Sequence, residues 1–116
     1  MKLKELEMIL NALADKTRVR ILNLLCAGEL CVCDVMQVLG EPQSKVSRHL
    51  AYLRKTKLVE ARKEGLWMYY RLSQLSLKLF RAILKAFEDC QCDLEELEKD
   101  LSIFRKNKKS LVTCCK

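Results

Sequence analysis

The break Gly40-Glu41-Pro42 constrains this chain more than any other stretch of it. Glycine can end a helix in the left-handed conformation, and proline, with no amide hydrogen to waste, suits the start of the next one. Upstream, Val35, Val38 and Leu39 predict a short helix over 34–39. Downstream, Val46, Leu50 and Leu53 recur at i, i+4 and i+7 and predict a helix over 43–56 whose other side carries Ser44, Ser47, Arg48, Ala51 and Lys55. One side packs; the other is small, polar and cationic.

The flanking segments fix the surroundings of this pair. Leu3, Leu6, Ile9, Leu10 and Leu13 predict a first helix ending near Asp15, which is placed to cap a second helix through 17–25 that stops at Ala27-Gly28. Ile21, Leu22 and Leu25 are its expected core residues. After helix 43–56, the run from Leu58 to Ser73 has strand propensity around a turn at Glu64-Gly65, predicting strands over 58–63 and 66–72. Leu75, Leu79, Phe80, Ile83, Leu84 and Phe87 then form the apolar stripe of a long helix.

The expected class is α+β and mostly helical, a winged helix-turn-helix of order α-α-α-α-β-β-α. Residues 1–92 form the domain and 93–116 a charged extension ending in Cys114-Cys115. A chain of 116 residues, rich in Ile and Leu, buries a limited fraction of its surface. A homodimer joined through the first and last helices of that order is therefore expected. No apolar run approaches the roughly 18 residues needed to cross a bilayer. The opening MKLKELEMIL carries acids where a secretory leader needs a continuous greasy segment, so a cytoplasmic location is expected.

Charge is distributed unevenly. The net +7 resolves into zero over 1–40, +5 over 41–72, +3 over 73–87, −6 over 88–100 and +5 over 101–116. A basic block centred on a helix-turn-helix with a hairpin beside it favours a polyanion, here double-stranded DNA with the second helix in the major groove. Gln43, Ser44, Ser47 and Arg48 are the expected groove contacts, with Arg48 the guanine reader. Lys45, Arg54, Lys55 and Lys63 are the expected phosphate contacts, and the hairpin tip, which carries Arg62, Lys63 and Glu64, is expected to lie beside the duplex with its cations toward phosphate. His49 lies in the same DNA-binding stretch but adjoins the apolar stripe, so it reads as a packed or backbone-bonded histidine rather than a metal ligand. With a single histidine, no phosphate loop and no acid/base constellation, an enzyme is not expected.

Seven cysteines fall into three close pairs, Cys31/Cys33, Cys90/Cys92 and Cys114/Cys115, with Cys26 alone. Clustered thiols in a reducing compartment bind metals or sense oxidants more often than they form structural disulfides. Cys26, at a helix end, reads as a small core hydrophobe. Cys31 and Cys33 precede or open the helix over 34–39, where a helix N-terminus favours thiolates.

The run Leu13-Ala-Asp-Lys-Thr-Arg-Val-Arg-Ile-Leu22, the block Glu29-Leu-Cys-Val-Cys-Asp34, the run Gln43-Ser-Lys-Val-Ser-Arg-His-Leu50 and the hairpin together closely resemble the ArsR/SmtB family of bacterial metal-sensing repressors over roughly residues 5–90. The resemblance implies a dimeric winged helix that sits on operator DNA until a toxic ion releases it. The block Glu29 to Asp34 is most similar to the arsenic-responsive branch, in which the Cys-Val-Cys binds arsenite or antimonite, making As(III) or Sb(III) the implied effector with no catalytic cofactor. In that branch a third thiol follows the second cysteine by three residues; here that position is Met36, whose thioether supplies no anionic sulfur. Cys114 and Cys115 are the leading replacements, then Cys90 and Cys92; these four could instead form a site of their own. The alternatives are thiol redox sensing and sensing of cadmium or lead. The cadmium/lead branch adds N-terminal cysteines, which residues 1–25 lack, and the family's zinc site needs histidines that residues 75–100 lack.

Overall fold

The computed structural model describes residues 2–90 and 94–106. Among these described residues, six helices and three strands follow in the order α1 (Leu3–Leu13), α2 (Lys16–Leu25), β1 (Leu30–Cys31), α3 (Val32–Leu39), α4 (Gln43–Lys55), β2 (Val59–Glu64), β3 (Trp67–Leu72), α5 (Gln74–Asp89) and α6 (Glu95–Lys106). Among the described residues no helix is long and apolar enough to cross a membrane.

Local chemistry sets the boundaries. Asp15 caps α2 by accepting the Arg18 amide at 3.1 Å, and Ser73 caps α5 by accepting the Ser76 amide at 3.2 Å. Gly40 ends α3 with φ 67°, the left-handed conformation that costs glycine least, and Pro42 stands as the N-cap of α4. α3 starts at Val32, two residues earlier than the apolar pattern predicts, because Cys31 serves as its N-cap and the Asp34 carboxylate accepts the Cys31 amide at 3.1 Å.

The core forms where these helices meet the sheet. Ile21, Leu22, Leu24, Val35, Val46, Leu50 and Leu53 are fully buried, joined by Leu58, Val59 and Phe80. The wing is an antiparallel pair in the register Val59↔Leu72 to Glu64↔Trp67. Its two-residue turn is Gly65-Leu66, one residue beyond the expected Glu64-Gly65, with Gly65 at φ 62° in the first turn position, where a type II′ hairpin takes glycine. β1 adds a third strand that the sequence reading did not contain: Leu30↔Tyr70 and Cys31↔Tyr69 pair it with β3, giving the sheet order β1-β3-β2.

α6, within the expected charged extension 93–116, packs on α2 and α3 and sets Leu101, Ile103 and Phe104 against the core. By contrast, the apolar stripes of α1 and α5 are only partly used within one chain. Ile9 and Phe80 are buried, while Leu3, Leu6, Leu10, Leu75 and Phe87 are exposed.

Candidate nucleic-acid interface and thiol site

Helix α4 is held by its inner stripe. With Val46, Leu50 and Leu53 fully buried, Gln43, Ser44 and Arg48 face solvent near its N-terminal end, followed by Arg54 and Lys55; Ser47 is half-buried. Lys45 is half-buried and paired with Glu41 at 3.3 Å. His49 is 8% exposed, so it lies on the packed side of α4. Burial holds its imidazole below the ordinary value; the Asp15 carboxylate opposes that shift, and Arg18, Arg48 and Lys45 reinforce it.

Two features brace α4 that sequence reading missed. Arg18 donates to the carbonyls of Ala12 at 2.8 Å and Asn11 at 3.0 Å, and its guanidinium lies 4.3 Å from the centroid of the Tyr52 ring, so one side chain ties α1, α2 and α4 together. At the other end, the Leu58 amide reaches the Leu53 carbonyl at 3.1 Å and the Lys57 amide the Arg54 carbonyl at 3.0 Å, with Lys57 at φ 66°. This is a Schellman termination whose usual glycine position holds a lysine.

The wing divides its cations between two tasks. Lys63 is exposed, with no ion pair among those of the described residues. Arg62 donates through Nε to Glu29 at 2.8 Å and through Nη1 to Glu64 at 2.8 Å, and stacks 4.8 Å from the Tyr69 ring centroid. These two carboxylates, Glu29 foremost, push the guanidinium pKa up. Arg62 thus fastens the wing to the segment leading into β1, whereas the sequence reading turned it toward phosphate.

The thiol pair sits at the junction of sheet and helix-turn-helix. Cys31 is 2% exposed, ends β1 and caps α3; Cys33 is half-buried in the first turn of α3. Both are in the disulfide-bonded form, while Cys26 and Cys90 carry free thiols. Burial pushes the Cys26 thiol pKa up, partly offset by Arg81, in keeping with a packed residue at a helix end. Burial likewise raises the Asp34 carboxyl against the opposing hydrogen bond from the Cys31 amide. Met36 packs half-buried against the core. Among the described residues no group of three or more His, Cys, Asp or Glu side chains is gathered for a metal ion. On reduction, Cys31 and Cys33 offer two sulfurs at a helix N-terminus, a donor set that fits a soft thiophilic ion and leaves one position to be filled. Cys90 is exposed at the end of α5; Cys92, Cys114 and Cys115 lie outside the described residues.

A helix-turn-helix with an exposed polar and cationic face on its second helix, flanked by a two-stranded wing, defines a winged helix-turn-helix protein. Residues 15–61 match the family described as bacterial regulatory protein, arsR family. The arsenical resistance operon repressor of Escherichia coli is 55% identical over 62 residues, covering 53% of each chain. The repressor of the same description from Staphylococcus aureus is 40% identical over 77 residues, covering 66% of this chain and 74% of its own. The solution structure of the homodimeric winged helix-turn-helix DNA-binding domain of a possible ArsR-family transcriptional regulator from Mycobacterium bovis superposes with a TM-score of 0.74 at 31% identity, covering 77% of this chain and 83% of that one. The chain belongs to the arsR family of bacterial regulatory proteins. It spans 53%, 57% and 64% of the lengths of three curated relatives, the Escherichia coli repressor and two arsenic resistance regulators of Pseudomonas putida.

Proposed function

We propose that the protein is a homodimeric transcriptional repressor that holds operator DNA through α4 and the wing, and lets go when As(III) or Sb(III) is bound by cysteine thiolates. In this reading Gln43, Ser44, Ser47 and Arg48 enter the groove, and Lys45, Arg54, Lys55 and Lys63 hold phosphates. His49 supports α4 from its packed side. Leu10 and Leu13 of α1 and Phe80, Ile83, Leu84 and Phe87 of α5 line a common apolar groove of about 650 Å³, and a second copy of the chain is its occupant.

The observation that carries the effector assignment is the position of Cys31, at once the last residue of β1 and the N-cap of α3. Residues i and i+2 do not share a helix face, so one ion held by both thiolates distorts the first turn of α3 or draws it toward a third sulfur. Cys114 or Cys115 supplies that third thiolate, with Cys90 and Cys92 next in order. α3 packs directly on α4, so the distortion misaligns two reading heads whose half-sites lie roughly 34 Å apart. A coupling of about 1–3 kcal/mol lowers operator affinity by roughly 5–150-fold, and linkage requires DNA to weaken ion binding equally. Arsenite affinity that is identical with and without bound DNA contradicts this account.

The disulfide-bonded form of Cys31 and Cys33 favours a second reading, thiol redox control, in which oxidation alone detaches the protein from DNA. Anaerobic titration of the reduced protein on a duplex it has selected from a random-sequence pool separates the two. Release by arsenite supports metalloid sensing; release by peroxide alone supports redox control.

A further inference from the structure

The most buried ion pair among the described residues plays no part in the function just proposed. Arg20 of α2, its side chain 14% exposed, donates through Nε to Asp100 at 2.8 Å and through Nη2 to the same carboxylate at 2.9 Å; Asp100, on α6, is 2% exposed. This is a two-pronged contact between residues 80 positions apart. The same Nη2 lies 3.5 Å from the carbonyl oxygen of Leu39, the last residue of α3. Leu39 directly precedes Gly40, where the chain turns toward α4.

Three elements therefore meet at the elbow of the helix-turn-helix. The C-terminal end of α3 presents partial negative charge, which a guanidinium held against it complements. Asp100 fixes the plane of that guanidinium, since a carboxylate engaging two of its N–H groups leaves it little freedom to turn. Asn23 of α2 adds a second polar tether, its Nδ2 donating to the Leu97 carbonyl of α6 at 3.1 Å. Lys16–Glu96 at 3.0 Å is a third, exposed one.

We infer that α6 clamps the helix-turn-helix elbow, with Asp100 orienting Arg20 against Leu39, so that both are positioning residues for the DNA-reading helix α4. The inference rests on the reading of α4 as the groove-contacting element. Neither residue touches DNA in that reading; they act by fixing the angle between α3 and α4. Loosening the clamp impairs site-specific binding, which needs both reading heads in register. Non-specific binding, which depends on the positive charge of the same surface, stays as it was.

The test uses the full chain with Asp100→Asn, which removes the charge and one of the two acceptors, and Glu98→Gln as an exposed control on the same helix. Each protein is titrated onto the duplex selected by the parent and onto a scrambled duplex, and backbone hydrogen exchange is followed over residues 36–46. Asp100→Asn is expected to weaken binding to the selected duplex about tenfold, within the usual range of such couplings, leave binding to the scrambled duplex within about twofold, and speed exchange at the elbow. Glu98→Gln is expected to match the parent. Should Asp100→Asn fail to fold, Arg20→Lys serves in its place: it keeps the cation but lacks the second arm that reaches Leu39. Unchanged selectivity and unchanged exchange in a folded variant overturn the inference. A parent that never distinguishes the two duplexes overturns the function reading instead, and exchange at the elbow still decides whether the clamp exists.

Discussion

Cys31 of β1 stands opposite Tyr69 of β3, so the residue that caps α3 also pairs with the wing. The side chain of Arg62, over the Tyr69 ring and bonded to Glu29, closes the same corner from the wing side. In the proposed function, a change in the sulfur chemistry of Cys31 acts on α3 and on the wing from one point.

The division of α4 and wing cations into base readers and phosphate holders makes opposite predictions for two exposed residues. Arg48→Ala is expected to cost about 1–3 kcal/mol on a selected duplex and to relax its sequence preference. Lys55→Ala should weaken binding to all duplexes alike and reduce the slope of log affinity against log salt by about one. Equal, sequence-independent losses for both variants count against Arg48 as a base reader.

Lys57 occupies the left-handed position of a Schellman termination at φ 66°. A lysine there bears a steric cost that glycine avoids. Lys57→Gly should raise stability by about 0.5–1 kcal/mol, after allowing for the extra freedom glycine gains in the unfolded chain. A urea melt at fixed protein concentration measures it, and a lower midpoint contradicts the assignment.

His49 imposes a pH dependence whose sign follows from its environment. Burial depresses its folded pKa below the ordinary 6.5, against the pull of Asp15 and with the help of Arg18, Arg48 and Lys45. Below pH 6.5 the unfolded chain therefore takes up a proton that the folded chain resists. The contribution of His49 is complete above that pH and declines as the pH falls toward the folded value. His49→Gln should flatten the difference in urea midpoint between pH 7.5 and pH 5.5; the same difference in both proteins contradicts it.

Much of the fold was legible because punctuation and periodicity agreed. Gly40 and Pro42 fixed the elbow, Asp15 the start of α2, and the spacing of Val46, Leu50 and Leu53 the buried side of α4. β1 escaped because two residues carry no period, and its pairing with β3 is a tertiary fact. α6 escaped because acidic composition masked its pattern, although Leu94, Leu97, Leu101 and Phe104 recur at helical spacing and could have marked it. Nothing in the sequence marks Asp100 as buried on that helix, because Arg20 meets it from 80 residues away. Arg62 was misread for a related reason. A surface arginine beside lysines suggests phosphate, and only the fold brings Glu29 to it.

The central claim is tested most directly by comparing the reduced parent with the double variant Cys31→Ser/Cys33→Ser, each bound to the selected duplex under anaerobic conditions and titrated with arsenite while fluorescence anisotropy of the DNA is followed. The account predicts that both proteins bind the duplex with similar affinity and that arsenite releases only the parent. A double variant that arsenite releases as readily as the parent contradicts it.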